Sequence, residues 1–210
     1  MNNPMQPALI VRRITESEDQ LRASLMRPEL FADKVATLKP GSRRLLEVLA
    51  VRRALKELLD GEEKAIVYDE HGAPSLQADS RYISISHTRD YVAVILSDVP
   101  VGIDIERREQ RVQRVVGHFL QPDEEARLGM LSADDEQLSL ALHLAWSAKE
   151  AAFKVLGQDY YDLQHLTSVS HIDWQSCVLR LRVDGMTSPL ALHFDYTADY
   201  VLVWLQSQGN

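Results

Sequence analysis

Residues Val101 to Glu106 read V-G-I-D-I-E, and the rest of the sequence is best interpreted from this stretch. On an extended strand side chains alternate between faces, so Val101, Ile103 and Ile105 point one way while Asp104 and Glu106 point the other. The two carboxylates would lie about 7 Å apart. Such a pair favours a shared hard cation and is costly when both acids are ionised without a partner. An isolated D-x-E is more often a half-buried strand with a solvated face, so this stretch alone leaves both interpretations open.

The bulk composition is that of an ordinary globular protein. The 210 residues are 45% hydrophobic and 26% charged, which suits one large domain or two small ones. A single cysteine, Cys177, cannot form an internal disulfide, and this fits a reducing compartment. The sequence contains no run of 18 apolar residues, and its first residues lack the pattern of a signal peptide. These features predict a cytoplasmic protein without a membrane span.

The charge distribution excludes one class of partner and suggests another. A formal net charge of −8 argues against a general nucleic-acid binder, because that affinity depends on neutralising phosphates with Lys and Arg. Basic residues nevertheless cluster directly after the acidic strand, at Arg107, Arg108, Arg111 and Arg114. This cluster could dock an acidic partner protein or could be a solvated helix face.

The order of predicted elements indicates two similar halves. In the first half we predict strands over 8–13, 64–68, 82–86 and 92–97, helices over 17–26 and 29–38, and a long helix over 42–59. In the second half we predict helices over 112–119, from 121 onward and over 135–156, then strands over 167–172, 178–183, 190–195 and 201–206. The predicted fold class is α+β, with halves at 1–98 and 99–210 packed face to face and any site at their seam.

Two further motifs carry chemistry. Residues Ser84 to Thr88 read S-I-S-H-T, so this strand ends in polar groups. Residues Trp146 to Lys154 read W-S-A-K-E-A-A-F-K, which places the aromatic and charged side chains on neighbouring rows of a helix. Taken alone, the second motif could contain only a Glu150–Lys154 ion pair worth a few tenths of a kcal/mol.

In this order and spacing, S-I-S-H-T, G-I-D-I-E and W-S-A-K-E-A-A-F-K closely resemble the signature of the 4'-phosphopantetheinyl transferases. The length resembles the two-halved form of that family, typified by the enzyme that activates surfactin synthetase. The resemblance implies a pseudo-dimeric monomer of two α+β halves with its site at their interface. It also implies Mg²⁺-dependent transfer of phosphopantetheine from coenzyme A to a serine of an apo acyl or peptidyl carrier protein, with release of adenosine 3',5'-bisphosphate.

The resemblance assigns roles to matching positions. It implies that the magnesium ligands are Asp104, Glu106 and Glu150. It places Lys149 and Lys154 beside the pyrophosphate, Ser86 and His87 at the coenzyme A phosphates and nucleotide, and Arg43 and Arg44 near the 3'-phosphate. Glu150, at the edge of the metal, is the expected base for the attacking serine, and Lys154 stabilises the departing phosphate. The chemistry requires this combination, since a cation and lysines must neutralise charge while a diphosphate bond breaks.

Some positions depart from the family pattern or have a simpler explanation. The family often has a basic residue between Gly and Pro before the S-I-S-H-T strand, and here that residue is Ala73. Glu124 resembles an acidic family position, although the helix dipole alone explains a first-turn carboxylate. Two alternatives remain: a catalytically weakened module that binds coenzyme A or a carrier protein, and another Mg²⁺-dependent phosphotransferase or hydrolase of a nucleotide pyrophosphate. Retention of all the acids and lysines named above favours the transferase.

Overall fold

The computed structural model describes residues 6–109, 112, 116–157 and 162–207. The described residues up to Val101, together with Gln206 and its successor, form one compact unit, and those of Gly102–Leu205 form a second. No helix in these described ranges is long and apolar enough to cross a membrane.

The first unit is built on an antiparallel sheet. Its strands are β1 (Ala8–Arg13), β2 (Ile66–Tyr68), β3 (Pro74–Leu76), β4 (Tyr82–Thr88) and β5 (Tyr91–Ser97). Their order across the sheet is β1-β5-β4-β3-β2. The helices are α1 (Glu18–Ala23), α2 (Ala32–Ala36) and α3 (Arg43–Leu58), with a short 3₁₀ helix at Pro28–Leu30. Helix α3 packs on β1 and β5.

Helix α3 forms where the sequence predicts it because its first turn is capped and one face is apolar. Ser42 Oγ accepts a hydrogen bond from the Leu45 N–H, which satisfies a donor that the helix itself cannot pair. Leu45, Leu49 and Leu55 are buried in the core of this unit. Burying each leucine contributes about 2 kcal/mol relative to exposure, so the tertiary contacts, rather than helix propensity, stabilise α3.

The second unit also carries a sheet with a long helix. Its strands are β6 (Val101–Arg107), β7 (Thr167–Asp173), β8 (Val178–Val183), β9 (Leu190–Tyr196) and β10 (Tyr200–Gln206). They are ordered β6-β10-β9-β8-β7, and β7 to β10 pair antiparallel. The helices are α4 (Pro122–Leu131), α5 (Asp135–Leu156) and α6 (Leu163–Leu166), preceded by a 3₁₀ helix at Val116–His118.

Helix α5 is the central helix of this unit. The Asp134 carboxylate caps it by accepting the Gln137 N–H, and the helix ends at Gly157, whose φ of 83° favours glycine. The backbone of this helix at Ala151 lies very close to β6. At Gly102 a Cβ atom would overlap the carbonyl oxygen of Ala151, so only glycine fits where the strand crosses the helix backbone.

The sequence predictions for the long elements are confirmed, and those for short ones are less accurate. Both long helices, α3 and α5, lie within a residue of their predicted bounds. The predicted helix over 29–38 is divided into a 3₁₀ turn and the five-residue α2. Strand β3 was not predicted, because it begins at Pro74 in a segment that has turn composition. Most of the predicted helix over 112–119 lies outside the described residues.

Candidate active site

Strand β6 is buried on both faces at its centre, which argues against the solvated-strand interpretation. Ile103 and Ile105 have no exposed surface, and Asp104, on the opposite face, is only 5% exposed. The exposure of the strand increases only from Glu106 onward. A buried carboxylate requires a charged or hydrogen-bonding partner, because the charged form loses its hydration.

Lys154 supplies one partner for Asp104. From the last turn of α5, Lys154 Nζ lies 3.1 Å from Asp104 Oδ1 and donates to the Ile103 carbonyl oxygen at 2.6 Å. The structure therefore brings the predicted phosphate lysine next to the predicted metal ligand. The Lys154 side chain remains partly exposed, so it can still meet a ligand that enters from solvent.

Glu106 is oriented by an aromatic residue for which the sequence did not predict a role. Trp146 Nε1 donates to Glu106 Oε1 at 3.0 Å, and the indole ring packs edge-on against Phe119. Burial and, after it, the charge of the neighbouring Asp104 carboxylate raise the pKa of Glu106 to about 7, and the hydrogen bond from Trp146 opposes both effects. An acidic side chain with this perturbation is typical of a functional site.

Glu150 faces the same group of acids from α5. Its pKa is raised, first by burial and then by the charge on Asp104, and the charge on Lys154 opposes the shift. Asp104 thus interacts electrostatically with both glutamates. The three carboxylates are hard oxygen donors whose mutual repulsion a divalent cation would relieve, so the donor set fits Mg²⁺. Among the described residues no three His, Cys, Asp or Glu side chains converge as a ready-made metal cluster. Mg²⁺ also takes water and substrate phosphates as ligands, so it does not require such a cluster.

We expect Glu106→Gln to stabilise the metal-free protein at pH 8. The folded-state pKa of about 7 lies above the ordinary value of 4.5, so between these pH values the folded protein holds a proton that the unfolded chain releases. Stability from this group is therefore greatest at low pH and is lost as the pH rises to about 7. Glutamine mimics the protonated acid, and its expected gain at pH 8 is on the order of 2 kcal/mol.

Urea unfolding in a chelator, at pH 5 and pH 8, would measure this gain. Glu125→Gln is the matched control, since Glu125 is an exposed acid on α4. Equal stability changes for the two variants at pH 8 would contradict the prediction.

Lys149, which the family resemblance places beside the pyrophosphate, lies in a buried network, and its contact with a phosphate stays a prediction. Its side chain has no exposed surface, and Nζ lies 2.8 Å from Glu124 Oε2 and 2.8 Å from the carbonyl oxygens of both Phe119 and Thr167. These three acceptors match the three donors of an ammonium group. Burial lowers the pKa of Lys149, and the Glu124 carboxylate opposes that shift. In this structure Lys149 is not grouped with Asp104 and Lys154.

In the first unit, the structure brings three of the predicted coenzyme A residues together. Arg44 contacts the His87 ring, and both lie within 3.3 Å of Glu47, as does Arg43. Glu47 is 7% exposed and was not predicted, although its i+4 and i+3 spacing from the two arginines could have identified it. The fourth predicted residue, Ser86, is buried in β4. The buried Glu47 carboxylate therefore contacts Arg43, Arg44 and His87 and keeps these three side chains next to one another.

The remaining sequence features are Ala73, which departs from the family pattern, and the arginines that follow the acidic strand. Ala73 lies in a turn closed by Asp69, whose Oδ1 accepts the N–H groups of His71 and Ala73. Arg111 and Arg114 lie outside the described residues. Arg108 donates to the Thr197 carbonyl oxygen and lies 3.5 Å from Glu136, so its guanidinium makes contacts within its own unit.

Comparison with known proteins identifies the family of this chain. Residues 100–204 match the 4'-phosphopantetheinyl transferase superfamily. The chain is 30% identical over 130 residues to the 4'-phosphopantetheinyl transferase gsp of Aneurinibacillus migulanus, covering 61% of this chain and 54% of that protein. It is 30% identical over 154 residues to the 4'-phosphopantetheinyl transferase psf-1 of Bacillus pumilus, covering 71% and 65%.

A third relative, enterobactin synthase component D of Escherichia coli, is 40% identical over 75 residues, or 35% of each chain. The matches thus span between about a third and two thirds of the relatives' lengths. The family match covers half of this sequence and contains β6 and α5 with all their charged residues. The chain belongs to the 4'-phosphopantetheinyl transferase superfamily.

Proposed function

We propose that this protein transfers the 4'-phosphopantetheine group of coenzyme A to a serine of an apo acyl or peptidyl carrier protein. The observation that supports this most directly is the placement of Asp104 in the family-matched segment. It lies against Lys154 and interacts electrostatically with Glu106 and Glu150. Two curated relatives are themselves named 4'-phosphopantetheinyl transferases.

In this proposal Asp104, Glu106 and Glu150 hold Mg²⁺. The bound ion would neutralise charge on the coenzyme A diphosphate while its bridging bond breaks. The donation by Trp146 fixes one carboxylate oxygen of Glu106 and leaves the other to serve as a ligand. Lys154, partly exposed at the same group of acids, stabilises the leaving phosphate as a point charge.

The transfer step moves one proton and breaks one bond. The serine hydroxyl oxygen of the carrier attacks the phosphorus that bears pantetheine, and the P–O bond to the bridging oxygen breaks. The bridging oxygen keeps the electron pair and leaves as adenosine 3',5'-bisphosphate. Glu150 accepts the serine proton, because burial and the neighbouring Asp104 raise its pKa and so increase its basicity toward a hydroxyl.

The first unit supplies the coenzyme A contacts in this proposal. Arg43, Arg44, His87 and Ser86 bind the phosphates and nucleotide, with Glu47 holding the two arginines and the imidazole in place. Each unit contains a sheet with a long helix, so we propose a pseudo-dimeric monomer with the substrate between the two halves. Arg111 and Arg114 are proposed to dock the acidic surface of a carrier protein. We assign the reaction to the cytoplasm, where a chain with one cysteine stays reduced.

A transfer assay tests the proposal. The protein would be incubated with coenzyme A, MgCl₂ and a panel of apo carrier proteins from fatty acid, polyketide and nonribosomal peptide synthesis. We expect at least one carrier to gain the mass of one phosphopantetheine, and a chelator to prevent the gain. Coenzyme A binding without any mass gain would identify a binding module instead. Cleavage of coenzyme A without transfer would identify a hydrolase.

A further inference from the structure

The buried Lys149–Glu124 pair is the centre of a polar network in the second unit that the proposed chemistry does not use. Both side chains have no exposed surface. Lys149 Nζ also lies 3.2 Å from the Leu163 carbonyl oxygen, beyond the three closer acceptors described above. The second carboxylate oxygen of Glu124 accepts the Val169 N–H at 2.6 Å. Every polar atom of the pair is therefore satisfied inside the protein.

This network joins segments that are far apart in the sequence. Lys149 lies in α5, Glu124 in the first turn of α4, and Val169 in β7, where the register against β8 shifts between Val169 and His171. The carbonyl groups that Lys149 binds lie at the end of a 3₁₀ helix and at the α6–β7 junction. One ammonium group thus fixes α5 relative to three neighbouring segments.

Stability alone does not explain the pair. Moving an ammonium and a carboxylate out of water costs several kcal/mol per ion, and apolar residues of similar volume often stabilise a fold equally well or better. In some proteins a fully satisfied buried network instead specifies a single arrangement of the elements that it joins. The arrangement fixed here is the position of α5.

Fixing α5 fixes the carboxylates. Glu150 follows Lys149 directly in the helix, and the next residue, Ala151, has its carbonyl group against Gly102 of β6. The polar network holds the helix on one side, and the close contact with β6 holds it on the other. Asp104 and Glu106 lie on that strand, so both contacts control how far Glu150 lies from them.

We propose that Lys149 and Glu124 are positioning residues that set the metal affinity of Asp104, Glu106 and Glu150. This inference rests on the proposed function for the identity of the site. It differs from a phosphate-binding role for Lys149, which requires contact with coenzyme A. Groups that support metal ligands without touching the metal typically change affinity or activity by about 10- to 100-fold when replaced.

The double variant Lys149→Met, Glu124→Leu replaces the ion pair with apolar side chains of similar size. It also leaves the Val169 N–H and the carbonyl groups that Lys149 binds without these partners, so we expect a lower urea midpoint, and Mn²⁺ binding is compared only where circular dichroism shows a fully folded protein. We expect Mn²⁺, measured by electron paramagnetic resonance with coenzyme A present, to bind about 10- to 100-fold more weakly. In the transfer assay kcat should fall while KM for coenzyme A stays within about 2-fold.

Ser147→Ala is the matched control. Ser147 lies in the same helix with no exposed surface, and its Oγ hydrogen-bonds to none of the described residues. We expect its Mn²⁺ affinity and kcat to equal those of the unaltered protein. If the double variant fails to fold, the isosteric Glu124→Gln removes the charge of the pair, and Mn²⁺ should still bind at least about 5-fold more weakly.

Two results would overturn the inference. Unchanged Mn²⁺ affinity in a folded variant would show that the network does not position the ligands. A higher KM for coenzyme A with unchanged Mn²⁺ affinity would show that Lys149 binds phosphate. Mn²⁺ and coenzyme A binding by the unaltered protein without transfer to any carrier would reject the proposed function alone, and the Mn²⁺ comparison would still test the positioning role.

Discussion

Replacing Asp104 with alanine is expected to reduce phosphopantetheine transfer by about 10³-fold or more while the protein remains folded. Asp104 is the most buried of the three acids in this group, and its charge contributes to the raised pKa of both Glu106 and Glu150. Without it the proposed metal loses a ligand, and Lys154 loses its carboxylate partner. Transfer would be measured by mass spectrometry of the carrier, Mn²⁺ binding by electron paramagnetic resonance, and folding by circular dichroism.

Glu150→Gln provides the comparison that separates two roles. If Glu150 accepts the serine proton, kcat should fall more than the affinity for coenzyme A, and the loss should persist at saturating Mg²⁺. If Glu150 acts mainly as a ligand, high Mg²⁺ should restore much of the rate. Full turnover by Asp104→Ala with coenzyme A and Mg²⁺ would reject the metal role proposed for this group of acids.

Gly102→Ala is expected to have the second largest effect, because it should lower both the stability of the protein and its transfer activity. The added Cβ would overlap the Ala151 carbonyl oxygen and lie 2.9 Å from Val155 Cγ2. Backbone cannot move aside as a flexible side chain can, so β6 and α5 must separate. We expect a loss of about 3 kcal/mol of unfolding free energy, at the upper end of the cost of overpacking. Transfer should fall even where the variant is fully folded, because Asp104 and Glu150 lie on the two separated elements.

Gly129→Ala is the control for this substitution. Gly129 lies within α4, where a Cβ would meet no described atom within 4 Å. Alanine is the better helix former by up to about 1 kcal/mol, so this variant should gain stability in urea unfolding. A Gly102→Ala protein as stable and active as the original would show that β6 and α5 do not need their close contact.

The sequence predicted the long elements because their signals are local. Leu45, Leu49 and Leu55 in α3 recur at helical spacing, and that helix has a capping serine. Strand β3 was missed because a three-residue strand beginning with proline has no periodicity of its own and exists only through pairing with β2 and β4. Its formation depends on the sheet rather than on its residues.

The candidate site was predicted in the same uneven way. Asp104, Glu106, Glu150 and Lys154 could be selected from the sequence because strand alternation, helical spacing and family resemblance all identify them. Trp146 and Glu124 received their roles only from the structure, because their partners, Glu106 and Lys149, lie 40 and 25 residues away across elements whose packing no local pattern specifies. The spacing of Glu47 from the two arginines is a local signal, but its contact with His87, 40 residues away, depends on the tertiary structure.

The sequence by itself determined which side chains share a face, since the direction of a side chain within a strand or helix follows from backbone geometry alone. It therefore placed the carboxylates of Asp104 and Glu106 on one face of the strand. Only the tertiary structure decided that Lys149 is buried against Glu124 while Lys154 contacts Asp104. The two lysines are chemically alike, and burial, which depends on how the elements pack together, distinguishes them.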